Sequence, residues 1–244
     1  MISEDSKNKN QKRNKMVKQH LKRLASPRTW PIGKKTLTFV ARPLPGPNKK
    51  EHYLPITVIL RDLIGIASTT KEVKFIQHNK DCLIDGKVSH DNKQPLGLLG
   101  VVSLPKIKES YRLTITEKNK LQVIKVDEKE ANQKVSKIIG KTILKKGKVQ
   151  LNLSDGRNVL VAKDTYKVGD SLHLEVPSQK IISVLSFEKG ALVFLDGGSH
   201  VGKLGTVESI EKETITIKFE KELYKTKKEY SIVIGKEKPI ITVQ

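Results

Sequence analysis

Residues 197–205 spell GGSHVGKLG: Gly197, four residues, then Gly202 and Lys203. That spacing is most of a phosphate-binding loop, in which backbone N–H groups and a lysine hold a nucleotide's phosphates. The mechanism also needs Ser or Thr after the lysine to hold magnesium, and a helix opening behind the loop. Leu204 occupies the magnesium position, Gly205 follows at once, and TVESIEKETITIKF at 206–219 reads as a hairpin. No downstream apolar strand ending in Asp supplies the second half of such a site. The magnesium–nucleotide reading is therefore rejected. Two readings stay open: a glycine turn between strands with no partner, or a loop whose glycines let an RNA backbone approach, with His200 and Lys203 beside it.

Other reactive side chains are sparse. Cys82 stands alone in the chain, beside Leu83 and Ile84. It reads as a packed core thiol, allows no intrachain disulfide and points to the cytosol. Asp85 is explained by the Asp85-Gly86 turn. The six histidines are scattered, which argues against a structural zinc site. His173 alternates with Leu172 and Leu174 and is expected at an exposed strand position. No Ser/His/Asp set can be named, so an enzyme is not expected.

Charge sets the class of partner. The 244 residues hold 47 Lys+Arg against 26 Asp+Glu, a net +21. Residues 1–50 alone carry 14 basic and two acidic side chains. An excess of this size calls for a polyanion, nucleic acid or an anionic membrane surface. No apolar run approaches the ~18–20 residues of a membrane span, and the N-terminus lacks the apolar stretch of a secretion signal. With 36% hydrophobic residues, several small cores are expected rather than one deep one.

The elements that must position these groups follow from periodicity. Residues 1–15 have almost no apolar content and are expected to be a disordered basic extension; Met16 could be a natural start. In the arm 16–55, Leu21 and Leu24 suggest a short helix ended by Ser26-Pro27. PLPGP at 43–47 must be extended or turning. Trp30 and Phe39, interleaved with basic residues, suit a segment that docks onto something. After Pro55, the residues Ile56, Ile59, Leu60, Leu63 and Ile64 fall on one helical face. Thr69 and Glu72 have capping-box spacing for a second helix, with Val73 and Ile76 inward and Lys71, Lys74 and His78 sharing another face. CLIDGKV reads as a hairpin about Asp85-Gly86. From 111 onward the period is two: YRLTIT, LQVIKV, KVQLNL, RNVLVA, SLHLEV, ALVFL, GTVESI and TITIKF alternate between turn residues, the pattern of small all-β barrels.

Several of these segments together resemble the archaeal and eukaryotic small-subunit ribosomal protein S-four-e family, over about residues 16–244. HLKRLASPRTW looks like that family's opening, and RPLPGP with LPITVILRDLI like the entry to its S-four-type RNA-binding module. TTKEVKFIQHNKDCLIDGKV is similar to that module's helix–loop–strand. LNLSDGRNV and YKVGDSL resemble the central segment, KGALVFLDGGSHVGKLGTVESI a KOW motif, and SIVIGKEKPIITV the usual ending. The end just past IGKEKP suits an archaeal member. Departures stand at Ser26, Asn48, Ser89 and Ser154.

The resemblance implies an α+β, multi-module fold: extension 1–15, basic N-terminal arm 16–55, S-four-type module 56–110, central small β-barrel 111–186 and C-terminal KOW (Src-homology-three-like) barrel 187–244. It implies a structural constituent of the small ribosomal subunit, cytoplasmic, acting in translation and subunit assembly. Its partners would be small-subunit ribosomal RNA and neighbouring ribosomal proteins. No catalysis, cofactor, metal, membrane or homo-oligomer is expected. The rRNA contacts expected are Lys18, Lys22, Arg23, Arg28, Lys34, Lys35 and Arg42 on the arm; Lys71, Lys74, His78, Lys80 and Lys87 on the helical module; and Gly198, His200, Gly202, Lys203 and Gly205 on the loop. An RNA-modifying enzyme built on the same module, and a free RNA chaperone or transcription factor, are the competing readings.

Overall fold

The computed structural model describes residues 20–162, 164–219 and 222–243. The expected extension 1–15 and Lys18 lie outside them. The arm opens with β1 (Leu21–Lys22), a 3-10 turn at Arg23–Ala25 and β2 (Phe39–Val40), which pairs antiparallel with β1. The helix expected at Leu21–Leu24 is therefore a strand and a tight turn. Leu24 is 68% exposed, so no apolar face exists there to bury a helix.

After β3 (Tyr53–Pro55), α1 (Ile56–Val58) continues as a π-helical turn over Ile59–Leu63. Ile56, Ile59 and Leu60 are fully buried, the face that the spacing predicts. Then α2 (Thr70–His78) starts at the N-cap Thr69, whose side chain accepts from the Glu72 N–H. Glu72 in turn accepts from the Ser68 N–H at 2.7 Å and from Thr69 Oγ1 at 2.9 Å, the reciprocal bonding of a capping box.

The hairpin of β4 (Leu83–Ile84) and β5 (Lys87–Val88) turns at Asp85 and Gly86, with φ of +47° and +73°. Positive φ at both central residues is the turn that matches strand twist. Next, β6 (Pro95–Gly97) pairs with β3, and β7 (Val101–Leu104), β8 (Glu109–Ile115) and β9 (Leu121–Val126) complete a sheet of order β5-β4-β7-β8-β9. The division expected near 110 falls inside this sheet, which runs on to Val126.

A short α3 (Glu128–Ala131) leads to β10 (Gln133–Ile143). With β11 (Val149–Leu153), β12 (Asn158–Val161), β13 (Ser171–Glu175) and β14 (Ile181–Leu185) it forms a sheet of order β12-β11-β10-β13-β14. The register of β10 shifts between Ile138 and Gly140; its first half pairs with β13 and its second with β11. A bulge of this kind bends a strand and lets it serve two partners.

The last sheet has order β18-β17-β16-β15-β19, from β15 (Leu192–Leu195), β16 (Leu204–Ile210), β17 (Thr214–Phe219), β18 (Glu222–Lys227) and β19 (Ser231–Gly235). One apolar cluster joins the arm (Trp30, Val40), the helices (Ile59, Val73), the first sheet (Leu113), the last (Phe194, Ile217) and the segment after it (Ile241). A separate cluster of Ile138, Leu151, Leu172 and their neighbours fills the central sheet. The several small cores expected are thus one shared core, a central satellite and a small third cluster of Val101, Val126 and Ala131. Trp30 belongs to the shared core at 1% exposure, its Nε1 donating to the Lys50 carbonyl at 3.1 Å, so its role is packing and not docking.

Candidate nucleic-acid interface

The arm cations divide by burial. Lys22, Arg28 and Lys35 are exposed, with no side-chain partner among the described residues. Arg42 is exposed and near enough to Tyr53 to act on its hydroxyl electrostatically. Lys34 is half-buried and donates to the Ser26 carbonyl at 3.2 Å. Arg23 corrects the expectation outright. It is 5% exposed and gives its guanidinium to the Gly33 carbonyl (2.8 Å), Thr36 Oγ1 (2.7 Å) and Asp62 Oδ2 (3.3 Å). It folds the arm instead of presenting charge.

Asp62 also accepts from Arg61 at 2.8 and 3.0 Å, and Arg61 reaches Thr70 Oγ1 at 3.4 Å. These contacts run from the arm to the start of α2. Lys71, Lys74 and His78 are exposed on α2, Lys80 follows with φ of +60°, and Lys87 is exposed on β5. Three of the departures from the family pattern face inward. Ser89 is fully buried and accepts from Gln77 Nε2 at 2.7 Å, Ser26 donates to the Arg23 carbonyl at 2.7 Å, and Ser154 accepts from the Lys137 N–H at 3.2 Å.

The GGSHVGKLG loop joins β15 to β16, so a strand stands where a nucleotide loop needs a helix. The Gly202 N–H donates to the Leu195 carbonyl at 2.8 Å, and the Leu195 N–H to that of Lys203 at 3.1 Å. Gly202 and Gly205 are buried, which corrects their expected place on the RNA-facing surface. A Cβ on Gly202 would lie 2.5 Å from the Thr116 carbonyl carbon, and one on Gly205 2.4 Å from Ile217 Cγ2. Their glycines admit the chain's own β8–β9 turn and strand β17. Gly198 is exposed with φ of +86°. The His200 ring centroid lies 4.1 Å from that of Tyr224, and Lys203 Nζ 5.9 Å from that of Phe219. The loop thus offers a half-exposed histidine and lysine on an aromatic base.

Sequence reasoning missed the buried ionic groups. Asp85 does more than turn the hairpin: it accepts from Lys134 Nζ (2.7 Å), Arg157 Nη2 (2.8 Å) and the Val101 N–H (2.9 Å). Burial raises its pKa, but Lys134 and Arg157 outweigh that and hold the carboxyl below its ordinary range. Arg112, fully buried, donates to Glu130 Oε2 (2.8 Å) and to the carbonyls of Glu130, Gln133 and Thr242 (3.1 Å each). In sequence it stands among Glu109, Ser110 and Thr114, so the strand's pattern carried no sign that it would be buried. His173, expected outside, is 5% exposed between Ser183 Oγ (3.3 Å) and Gln133 Oε1 (3.1 Å). Burial lowers its pKa, with Arg112 adding to the effect.

A cleft of about 900 Å3 lies between the arm (Asn48, His52), the central sheet (Lys137) and the last sheet (Asp196, Tyr230). Burial pushes Lys137 down to about 8 and Asp196 up to about 6, each partly offset by the other's charge. Lys137 Nζ donates to the carbonyls of Lys228 and Glu229 at 2.8 Å each. The cleft is thus a seam between sheets. Cys82 is fully buried, and burial pushes its thiol up to about 12, too high for a nucleophile. No group of three or more His, Cys, Asp or Glu suited to a metal is found among the described residues, nor is any of their helices long and apolar enough to cross a membrane.

The whole is a mixed α/β chain, mostly strands with few helices, with exposed cations on the arm and the second helix among others, and with Cys82 and His173 buried. Comparison with known proteins gives the class its family. The Ribosomal family S4e matches residues 107–181 and the RS4NT (NUC023) domain residues 15–51. Small ribosomal subunit protein eS4 of Methanosphaera stadtmanae is 37% identical over 232 residues, covering 93% of this chain and 96% of that protein. The eS4 protein of Methanocella arvoryzae is 38% identical over 232 residues, covering 93% and 98%. The crystal structure of the 30S ribosomal protein S4e from Thermoplasma acidophilum superposes with a TM-score of 0.65 at 28% identity, covering 75% of this chain and 95% of that one. The chain belongs to the small ribosomal subunit protein eS4 family, whose members are structural ribosomal proteins and not enzymes.

Proposed function

We propose that this chain is a structural constituent of the small ribosomal subunit in the cytoplasm, holding small-subunit ribosomal RNA beside neighbouring ribosomal proteins and aiding subunit assembly. The observation that carries the reading is the match to eS4 proteins across 93% of the chain. The exposed cations of the arm and α2 supply the chemistry. Lys18, Lys22, Arg28, Lys35 and Arg42 lie against phosphates from the arm. An S-four-type module over the helices and first sheet, 56–126, presents Lys71, Lys74, His78, Lys80 and Lys87. A KOW barrel, the last sheet, adds Gly198, His200 and Lys203. Side chains cannot read the deep A-form groove, so recognition rests on backbone and shape.

Phosphate contacts release counterions, and six or more of them make affinity fall by about a thousand-fold between about 50 and 200 mM salt. Filter binding of the full chain to small-subunit ribosomal RNA over that range tests the reading. A steep salt dependence is expected; a flat one would count against it.

A further inference from the structure

Phe75 is the anomaly of α2. At 3.6 residues per turn, Lys71, Lys74, Phe75 and His78 share an arc of about 100°. Val73 and Gln77, on the far side, are buried. Phe75 is 67% exposed and makes no ring–ring contact among the described residues. Glu72, the acidic residue of the same helix, is occupied at the N-cap by Ser68 and Thr69. The ring contributes nothing to the core, and a lysine would favour both the helix and solubility more. What it offers is a flat apolar face framed by positive charge.

A matching ligand must carry negative charge and a flat apolar face within the same few ångströms. A nucleotide does both, since phosphates suit Lys71 and Lys74 and a base suits the ring. Base-paired RNA hides its base faces by stacking, so only an unpaired nucleotide can use Phe75. We infer that Phe75 is a stacking platform for one unpaired base of the bound RNA, held between the phosphate contacts of Lys71 and Lys74. This rests on the rRNA-binding reading above and adds to it a residue and a class of RNA target.

The test uses the full chain with two probes: a 20-nucleotide single-stranded RNA of mixed sequence containing 2-aminopurine, and a blunt RNA duplex of the same length. Phe75→Leu is expected to weaken single-strand binding roughly ten-fold, within the range for loss of one stacked base. It should abolish the aminopurine quenching while leaving duplex affinity, salt slope and melting temperature unchanged. Phe75→Trp should restore both binding and quenching. Equal single-strand binding by Phe75→Leu and wild type would overturn the inference, as would an equal loss on both probes. Retention by Phe75→Leu with loss by Phe75→Trp would overturn it in favour of an apolar protein contact. Wild-type chain that binds neither probe would remove the RNA reading itself.

Discussion

A Cβ placed on Gly202 meets the backbone of Thr116 and Glu117 at 2.5–2.7 Å, at a φ of +80° that L side chains rarely adopt. Gly202→Ala should therefore destabilise the fold by about 2 kcal/mol or more, read by urea denaturation. Lys203→Ala, one residue on, should leave stability within about 0.5 kcal/mol and weaken RNA binding instead. Lys134 tells the opposite story from a surface lysine. Replacing it with Met leaves Asp85 and Asp155 short of a buried cation, at a cost of about 3–5 kcal/mol. Asp196 gives a pH signature. Its raised pKa means that the folded chain holds a proton the unfolded chain has released between about pH 4 and pH 6. Stability from this group is full below that window and falls as pH rises through it. Asp196→Asn should remove that component of the slope in melts taken across the window. At this scale the sequence is least legible. Lys22 and Arg23 are adjacent basic residues, yet one faces solvent and the other is consumed by Gly33, Thr36 and Asp62. Only the fold of the arm decides which is which, and the Asp85–Arg157 contact depends on residues 72 apart in sequence.

Elements were far more readable. Periods of 3.6 and 2 place α1, α2 and the alternating strands because each buries one face, and that constraint is local. The hairpin at Asp85-Gly86 follows from turn chemistry alone. What periodicity cannot supply is partnership: β8 and β9 alternate like the later strands, but β8 pairs with β7 and β9 with β8, in the sheet of the helical module. It also missed the π-helical turn, whose apolar spacing mimics an α-helix for two turns. At this scale, Thr69→Ala should cost about 1 kcal/mol through loss of the α2 N-cap, seen in thermal melts. The double change Lys71→Ala and Lys74→Ala should leave the helix intact, because both side chains are exposed. It should reduce the salt slope of RNA binding by about two ions.

Across the whole molecule, long polar contacts hold the sheets together. Arg112 ties the chain's end at Thr242 to α3, and Lys137 ties β10 to the turn after β18. The loop that spells most of a nucleotide site packs its glycines against the β8–β9 turn and β17, leaving His200 and Lys203 toward the surface. A basic body with exposed lysines on its arm and second helix is suited to hold RNA in place. The family, legible from ordered segments of sequence, agrees with that physical reading, although charge and periodicity alone would have stopped at RNA binding. Placement on the small ribosomal subunit is tested by sedimentation of a lysate from the source cells through a sucrose gradient at low salt, with the chain followed by antibody. The chain is expected to travel with the small ribosomal subunit and to be released when salt is raised or the RNA is digested. A chain that stays at the top of the gradient at low salt, with intact subunits below it, would rule out a structural place in the small subunit.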